Sequence, residues 1–213
     1  MTVSLLMKVT ASNRLIKSSH FLRAQSTTGI SRLKEIELIN QSKQDVKNFR
    51  PLYDTYFPLI LNYVYQKVAD KELASDITSQ VFLKVLTHIK KYKIQDVPFS
   101  AWLYKIAYNE AMLFFRKSKK MRSVVLDEEL IEGISDELEE FPKEKIMRSM
   151  EGLIGRLKQA EFELIELRFY KGKPFREIGY ILGCSENTAK VRSHRLIQKL
   201  KQELVKENRH EKI

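Results

Sequence analysis

Lys190, Arg192, His194 and Arg195 crowd into six residues of a stretch whose apolar members, Ala189, Leu196 and Leu200, recur at helical spacing. On such a helix the cations face away from the apolar side. Arg and Lys so placed neutralise phosphates and donate to guanine edges, and Asn187 just upstream can hydrogen-bond a base or the backbone. Before them, Phe175, Ile178, Ile181 and Leu182 form a second helical stripe. Gly183 then sits where a chain leaves a helix in the left-handed conformation, and Ser185 offers an N-cap hydroxyl to the next helix. The run from Phe175 to Arg195 therefore has the pattern of a helix-turn-helix, whose second helix enters the major groove by its N-terminal half. An ordinary helical hairpin with a solvated basic face is the competing reading. Cys184 has no neighbour that completes a metal site and reads as a small packed residue.

A second constellation opens at Pro98. Phe99, Trp102, Tyr104, Lys105, Tyr108 and Asn109 precede a cationic tail of Arg116, Lys117, Lys119 and Lys120. Aromatic platforms beside a cationic track suit single-stranded nucleic acid; a core helix with a solvated end is the plainer alternative. Covalent chemistry finds no carrier. The chain has no Gly-rich phosphate loop, no His/Cys/Asp metal spacing and no nucleophile motif, and its paired carboxylates lie in an acidic run or on solvated faces. A single cysteine excludes an internal disulfide framework and a cysteine-rich zinc site. No enzyme, no cofactor and no bound metal is expected.

The elements that position these residues read as helices throughout. From Arg32, the apolar residues Leu33, Ile36, Ile39 and Val46 begin a helical period, and Phe49, Leu52, Tyr53, Tyr56 and Phe57 continue it. Pro58 fits the first turn of a following helix with Ile60, Leu61, Tyr63, Val64 and Val68. Asp70 can cap the next, which carries Leu73, Ile77, Val81, Leu83, Val85, Leu86 and Ile89. A polar loop spans Lys90 to Val97. Helices resume near Lys145, with stripes at Ile146, Met150, Leu153, Ile154 and Leu157, and at Phe162, Leu164, Ile165, Leu167 and Phe169. Only 7 Gly and 5 Pro among 213 residues argue against an all-β fold. No stretch approaches the 18 uncharged apolar residues of a membrane span, so no membrane insertion is expected.

The net charge of +11 is unevenly spread. Residues 1–36 carry +5, 37–122 carry +7, 123–142 carry −8 with no basic residue, and 143–213 carry +7. Two basic blocks are thus joined by an acidic strip of Asp127, Glu128, Glu129, Glu132, Asp136, Glu137, Glu139 and Glu140. The strip reads as a solvated linker, or as a segment that occupies a basic channel on a partner. The domain plan is a basic leader at 1–31, a helical domain at 32–122, the acidic linker at 123–142 and a helix-turn-helix domain at 143–213. Residues 1–31 lack acids and are rich in Ser, Thr and Arg. That composition is like a transit peptide, but a disordered leader, or a translation start set too far upstream, is the preferred reading.

The two constellations, in this order and at this separation, resemble the sigma-70 family, specifically its small extracytoplasmic-function (ECF) type. Residues 45–122 look like region 2 of that family, and Tyr53-Asp54-Thr55-Tyr56-Phe57-Pro58 matches its first helices. Ser75 to Lys84 is similar to the helix that binds the clamp helices of the polymerase β′ subunit. Phe99, Trp102, Leu103, Ile106, Ala107 and Asn109 match the promoter −10 segment, and residues 143–205 look like region 4, which reads the −35 element. The family's Gln-Glu pair is Ser79-Gln80 here, Tyr108 replaces a common Arg, and Val191 and Ser193 replace a commoner Ser and Leu.

The resemblance implies an all-α fold of two helical domains, a region 2 bundle and a region 4 helix-turn-helix. It implies roles by position. Asp76, Ile77, Ser79, Gln80, Phe82 and Leu83 would bind core polymerase. Trp102, Tyr104, Lys105, Asn109, Arg116, Lys117, Lys119 and Lys120 would serve the −10 element, with Asn109 and the loop Tyr92–Val97 pocketing a flipped base. Asn187, Thr188, Lys190, Val191, Arg192, His194 and Arg195 would face the −35 element. Implied partners are core RNA polymerase (β′ clamp helices and β flap), promoter DNA and an anti-sigma factor, all in the cytoplasm. The linker would thread toward the RNA exit channel. The rival expectation is a helix-turn-helix regulator that binds duplex DNA without polymerase.

Overall fold

A computed structural model describes residues 30–118, 134, 136–138 and 141–210. Among these residues the regular structure is helical and no strand occurs. Helix α1 spans Arg32–Gln44, with the Ser31 hydroxyl accepting from the Lys34 amide. Its buried face is Glu35, Leu38, Ile39 and Ser42. Leu33 is 81% exposed and Val46 is exposed as well, so of the expected stripe Ile39 faces fully inward while Leu38 and Glu35 supply the rest of the face. A 3-10 turn, Val46–Phe49, leads into α2, Arg50–Val68.

Pro58 lies inside α2 and does not begin a new helix. It removes one backbone donor, but it stands on the exposed side, where the freed carbonyl meets water and the apolar face stays continuous. Helix α3, Lys71–His88, is capped by the Asp70 carboxylate, which accepts from the Leu73 amide at 3.1 Å. A 3-10 turn, Ile89–Lys91, and the loop from Tyr92 to Pro98 lead to α4, Phe99–Ser118. Leu52, Tyr56, Ile60, Val81, Val85, Phe99 and Leu103 fill the core between these helices, each at most 1% exposed. Burial of this kind stabilises by roughly 1.5–3 kcal/mol per large side chain.

Part of the acidic strip falls among the described residues. Asp136–Leu138 forms a 3-10 turn, and Ile134 and Leu138 are fully buried. The rest of the strip, and residues 1–29, lie outside the described residues. The second domain comprises α5, Lys143–Gly155, α6, Gln159–Ile165, α7, Phe175–Leu182, and α8, Glu186–His210. The 3-10 turn of the strip packs on α8. After Ile165 the backbone widens into one π-helical turn, Glu166–Tyr170, where the stripe at Leu167 and Phe169 led the periodicity to expect α-helix. Ile146, Met150, Ile154, Ile165, Ile178, Ile181, Ala189, Leu200 and Leu204 make this core. The two domains meet along α4 and α7.

Candidate nucleic-acid interface

The turn between α7 and α8 is built by two glycines and a serine. Gly183 adopts φ 69° and ψ 35°, the left-handed region that favours glycine. Gly179 stands where a Cβ would lie 2.8 Å from the Cys184 carbonyl oxygen and 3.1 Å from the Glu186 amide nitrogen. The Cys184 amide donates to the Gly179 carbonyl at 2.9 Å. Only a residue without a side chain admits that approach. Ser185 then caps α8, its hydroxyl accepting from the Thr188 amide at 3.1 Å and contacting the Thr188 hydroxyl at 2.8 Å.

This turn sets the roll of α8. Ala189, Ser193, Leu196, Ile197 and Leu200 face inward. Asn187, Lys190, Val191, Arg192, His194 and Arg195 are exposed, and Thr188 is half-buried by its cap contact. The seven residues expected at a major groove therefore lie on the outer surface of the N-terminal half of α8. Arg192 lies beside Val191, itself 39% exposed, so the face combines cations with one apolar contact.

On the first domain, the expected −10 residues divide. Asn109, Arg116 and Lys117 are exposed. Trp102 is half-buried, its ring 4.5 Å from Tyr92 and 5.5 Å from Phe99 between centroids, so it backs the loop from within an aromatic cluster. Tyr104 does not reach the surface: it is 4% exposed, edge-on to Tyr63 at 4.9 Å, with the Lys173 ammonium 5.1 Å from its ring. Lys105 is half-buried, 4.5 Å over the Tyr180 ring of α7. Lys119 and Lys120 lie outside the described residues. Asn109 is ten positions beyond Phe99, about 15 Å along α4 at a rise of 1.5 Å per residue.

The expected polymerase-binding helix also divides. Asp76, Ser79, Gln80 and Leu83 are exposed, Leu83 at 57%. Ile77 and Phe82 point into the core, at 7% and 2%, and Phe82 packs on Phe49, Tyr53 and Phe57. They are packing residues, because a period of 3.6 turns positions 77, 78, 81, 82 and 85 to one side.

Two polar assemblies were not legible in the sequence. In the first, Arg32 pairs with buried Glu35 and donates from Nη2 to the carbonyls of Gln95 (2.7 Å) and Val97 (3.0 Å). Glu35 also accepts from the Tyr56 hydroxyl and, at 3.4 Å, from the Phe99 amide. One carboxylate thus ties α1, α2 and the start of α4 together around the 92–98 loop. The signal available was weak: an acid at a position where the helical period wants an apolar residue.

In the second, the Lys67 ammonium is fully buried between Glu163, at 2.9 Å, and Glu166. The Tyr63 hydroxyl donates to Glu163, and the ammonium lies 3.9 Å from the Tyr63 ring. Burial alone would lower the Lys67 pKa, but the two carboxylates outweigh it and hold the ammonium above its ordinary value. Burial, then the neighbouring carboxylates, pushes the Tyr63 phenol well up. Burial, reinforced by Glu166, raises the Glu163 carboxyl against the pull of Lys67. Tyr104 is raised by burial as well.

Among the described residues, no group of three or more His, Cys, Asp or Glu side chains is arranged to hold a metal ion, and no helix is long and apolar enough to cross a membrane.

Residues 52–121 match the family model for sigma-70 region 2, and residues 153–202 match that for sigma-70 region 4. Among curated relatives, the ECF RNA polymerase sigma factor BldN of Streptomyces coelicolor is 29% identical over 171 residues, covering 78% of this chain and 64% of BldN. The RNA polymerase sigma factor SigZ of Bacillus subtilis is 31% identical over 155 residues, covering 73% of this chain and 86% of SigZ. Two solved structures share the fold at 18% identity. CnrH in complex with the cytosolic domain of CnrY aligns with a TM-score of 0.54, over 78% of this chain and 96% of the matched one. The sigma factor RpoE in complex with the anti-sigma factor NepR from Bartonella quintana aligns at 0.52, over 75% and 98%.

Proposed function

The chain belongs to the sigma-70 family, with curated relatives of the ECF type, and from that premise we propose that it binds core RNA polymerase, carries it to promoters and promotes initiation there. The observation that supports this best is the order of the two matched regions on one chain, each presenting its own exposed polar face. A regulator that reads duplex DNA alone has use for the second of these but not for the first.

In this reading the second domain lays α8 in the −35 major groove. Lys190, His194 and Arg195 meet base edges, with Val191 as an apolar contact, and Arg192, Asn187 and Thr188 hold the register on the backbone. The first domain serves the −10 element. Asn109 and the 92–97 loop receive an extruded base, whose unstacking costs a few kcal/mol that a preformed pocket must offset. Trp102 stiffens the loop, and Arg116, Lys117, Lys119 and Lys120 hold phosphates. The exposed side of α3, Asp76, Ser79, Gln80 and Leu83, meets the β′ clamp helices, and the second domain meets the β flap. The acidic linker takes the place of nucleic acid in the RNA exit channel. An anti-sigma protein is a further partner of the same surfaces. The protein performs no covalent step and acts in the cytoplasm, where polymerase and promoter are found.

The test is run-off transcription with purified core polymerase on a genomic promoter library. Stimulation on a subset of promoters, with little specific duplex binding by the chain alone, supports the proposal. Absence of stimulation on every template, with tight duplex binding by the chain alone, gives the regulator reading instead.

A further inference from the structure

Ile94 is 40% exposed, a large apolar side chain left on the surface in the loop before α4. A lone exposed aliphatic is ordinary. Leu33, more exposed still, only rides on the solvent side of α1. What sets Ile94 apart is how firmly its neighbours are anchored. On one side Tyr92 is buried, its ring 5.3 Å from Phe99 and 4.5 Å from Trp102 between centroids. On the other, Arg32 Nη2 donates to the carbonyls of Gln95 at 2.7 Å and Val97 at 3.0 Å, and the Val97 side chain is buried. Between them the Gln95 side-chain amide folds back on the Lys93 carbonyl at 3.2 Å. Both ends of the loop are therefore tied inward, and Ile94 is the apolar side chain it presents outward.

The charge beside Ile94 decides what it can meet. Lys90, Lys91 and Lys93 are all exposed, three cations within four residues. Asp96, the one acid between Lys90 and Val97, is paired with Arg176 at 2.6 Å. A protein partner would ask for a wider apolar patch with charge kept to its rim. A single aliphatic flanked by cations is instead the chemistry of a side chain that enters nucleic acid: the cations take phosphates, and the apolar group parts a base step.

We infer that Ile94 is a strand-separating wedge. As the base received by the 92–97 loop leaves the stack, the Ile94 side chain occupies the vacated step, and Lys90, Lys91 and Lys93 hold the neighbouring phosphates. This deepens the −10 reading of the first domain and rests on it. Extrusion leaves the adjacent base without a stacking partner, and an apolar side chain in the gap restores part of that loss. A wedge thus speeds the opening of a closed duplex and adds little where the strands are already apart.

The experiment uses the full chain with core polymerase on one promoter in two forms, fully paired and with a mismatched bubble across the −10 element. Opening of the paired form is followed by 2-aminopurine fluorescence beside the extruded base, and run-off is measured on both. Ile94→Ser removes the apolar group from an exposed site, and its melting temperature checks the fold. It should slow opening of the paired form by about tenfold, the scale of one lost aliphatic contact in a transition state. The ratio of bubble to paired run-off should rise by a similar factor. Ile94→Leu keeps an aliphatic of the same size and should restore both.

Unchanged opening by Ile94→Ser overturns the wedge. So does an equal loss on the paired and bubble templates, which marks a contact with the strand that plays no part in separating it. An Ile94→Leu as slow as Ile94→Ser overturns it as well, because a wedge needs apolar bulk and not one particular shape. A parent protein that fails to stimulate on either template removes the sigma assignment itself, and the wedge with it, a result distinct from any difference between active variants.

Discussion

Glu35→Ala should loosen the loop between Tyr92 and Pro98 from behind. Glu35 lies on α1, outside the segment that matches region 2, yet its carboxylate accepts from Tyr56 and from the Phe99 amide, and holds the Arg32 fork that fixes the carbonyls of Gln95 and Val97. The magnitude follows from burial. A buried hydrogen bond to a charged group contributes about 1.5–3 kcal/mol, which applies to Tyr56. The Arg32 side chain is 39% exposed, so the ion pair adds no more than about 1 kcal/mol after solvent screening. The Phe99 contact, at 3.4 Å, is long and adds little. The total is about 2–4 kcal/mol, or roughly 5–15 °C in Tm for a chain of this size. Thermal melts by circular dichroism measure the shift, and amide exchange across residues 92–99 reports the loop. Glu35→Gln keeps an acceptor oxygen but loses the ion pair, so it should fall between parent and Glu35→Ala. A Tm within about 2 °C of the parent, with unchanged exchange over 92–99, would refute this role of Glu35.

The remaining expectations concern other parts of the molecule. Gly179→Ala forces a Cβ against the Cys184 carbonyl and should destabilise the second domain by about 1–3 kcal/mol, read as a lower melting temperature and weaker −35 dependence. Leu83→Asp should weaken polymerase binding with little change in Tm, because Leu83 is exposed. Phe82→Ala, in the core, should cost about 3–5 kcal/mol in stability; equal effects of the two on binding and melting would contradict the division of α3. Asn109→Ala should reduce discrimination at one −10 position by about 1–3 kcal/mol, while Lys190 and Arg195 substitutions alter only the −35 element, as measured on promoter variants. Stability should also fall as pH rises above 10. Burial raises Tyr63 and Tyr104, and raises Tyr92 to about 12. The unfolded chain therefore releases protons that the native chain still holds, and the slope of stability against pH is negative there. A flat urea midpoint between pH 9 and about 11.5 would contradict it.

Helix period, caps and turn residues carried the elements. Asp70, Pro98, Gly183 and Ser185 are local signals, readable because a cap or a left-handed turn needs a particular side chain at one position. The outward set on α8 was legible for the same reason, since Ala189, Leu196 and Leu200 fix which side is in. Errors arose where partners are far apart in sequence. Ile77 and Phe82 belong to a motif, but the helical period puts both on the inner side of α3; the burial of Tyr104 depends on Tyr63 and on Lys173 of the second domain, which periodicity does not reveal. Lys67, Glu163 and Glu166 carry no local signal, because their partners are brought together only across nearly a hundred residues. Pro58 read as a helix start because its exposed position, which makes it tolerable inside α2, is a tertiary fact. Gly179 left a trace, a glycine amid a strong helical stripe.

The small 3-10 turn at Asp136–Leu138, seated on α8, gives the end of the acidic strip to the second domain. Ile134 and Leu138 are both fully buried, so this part of the strip is held by its apolar residues while Glu137 stays exposed. In mechanical terms the second domain begins at Ile134 and not at the first residue of α5, and cutting the chain between Leu138 and Lys143 would strip that domain of two core side chains.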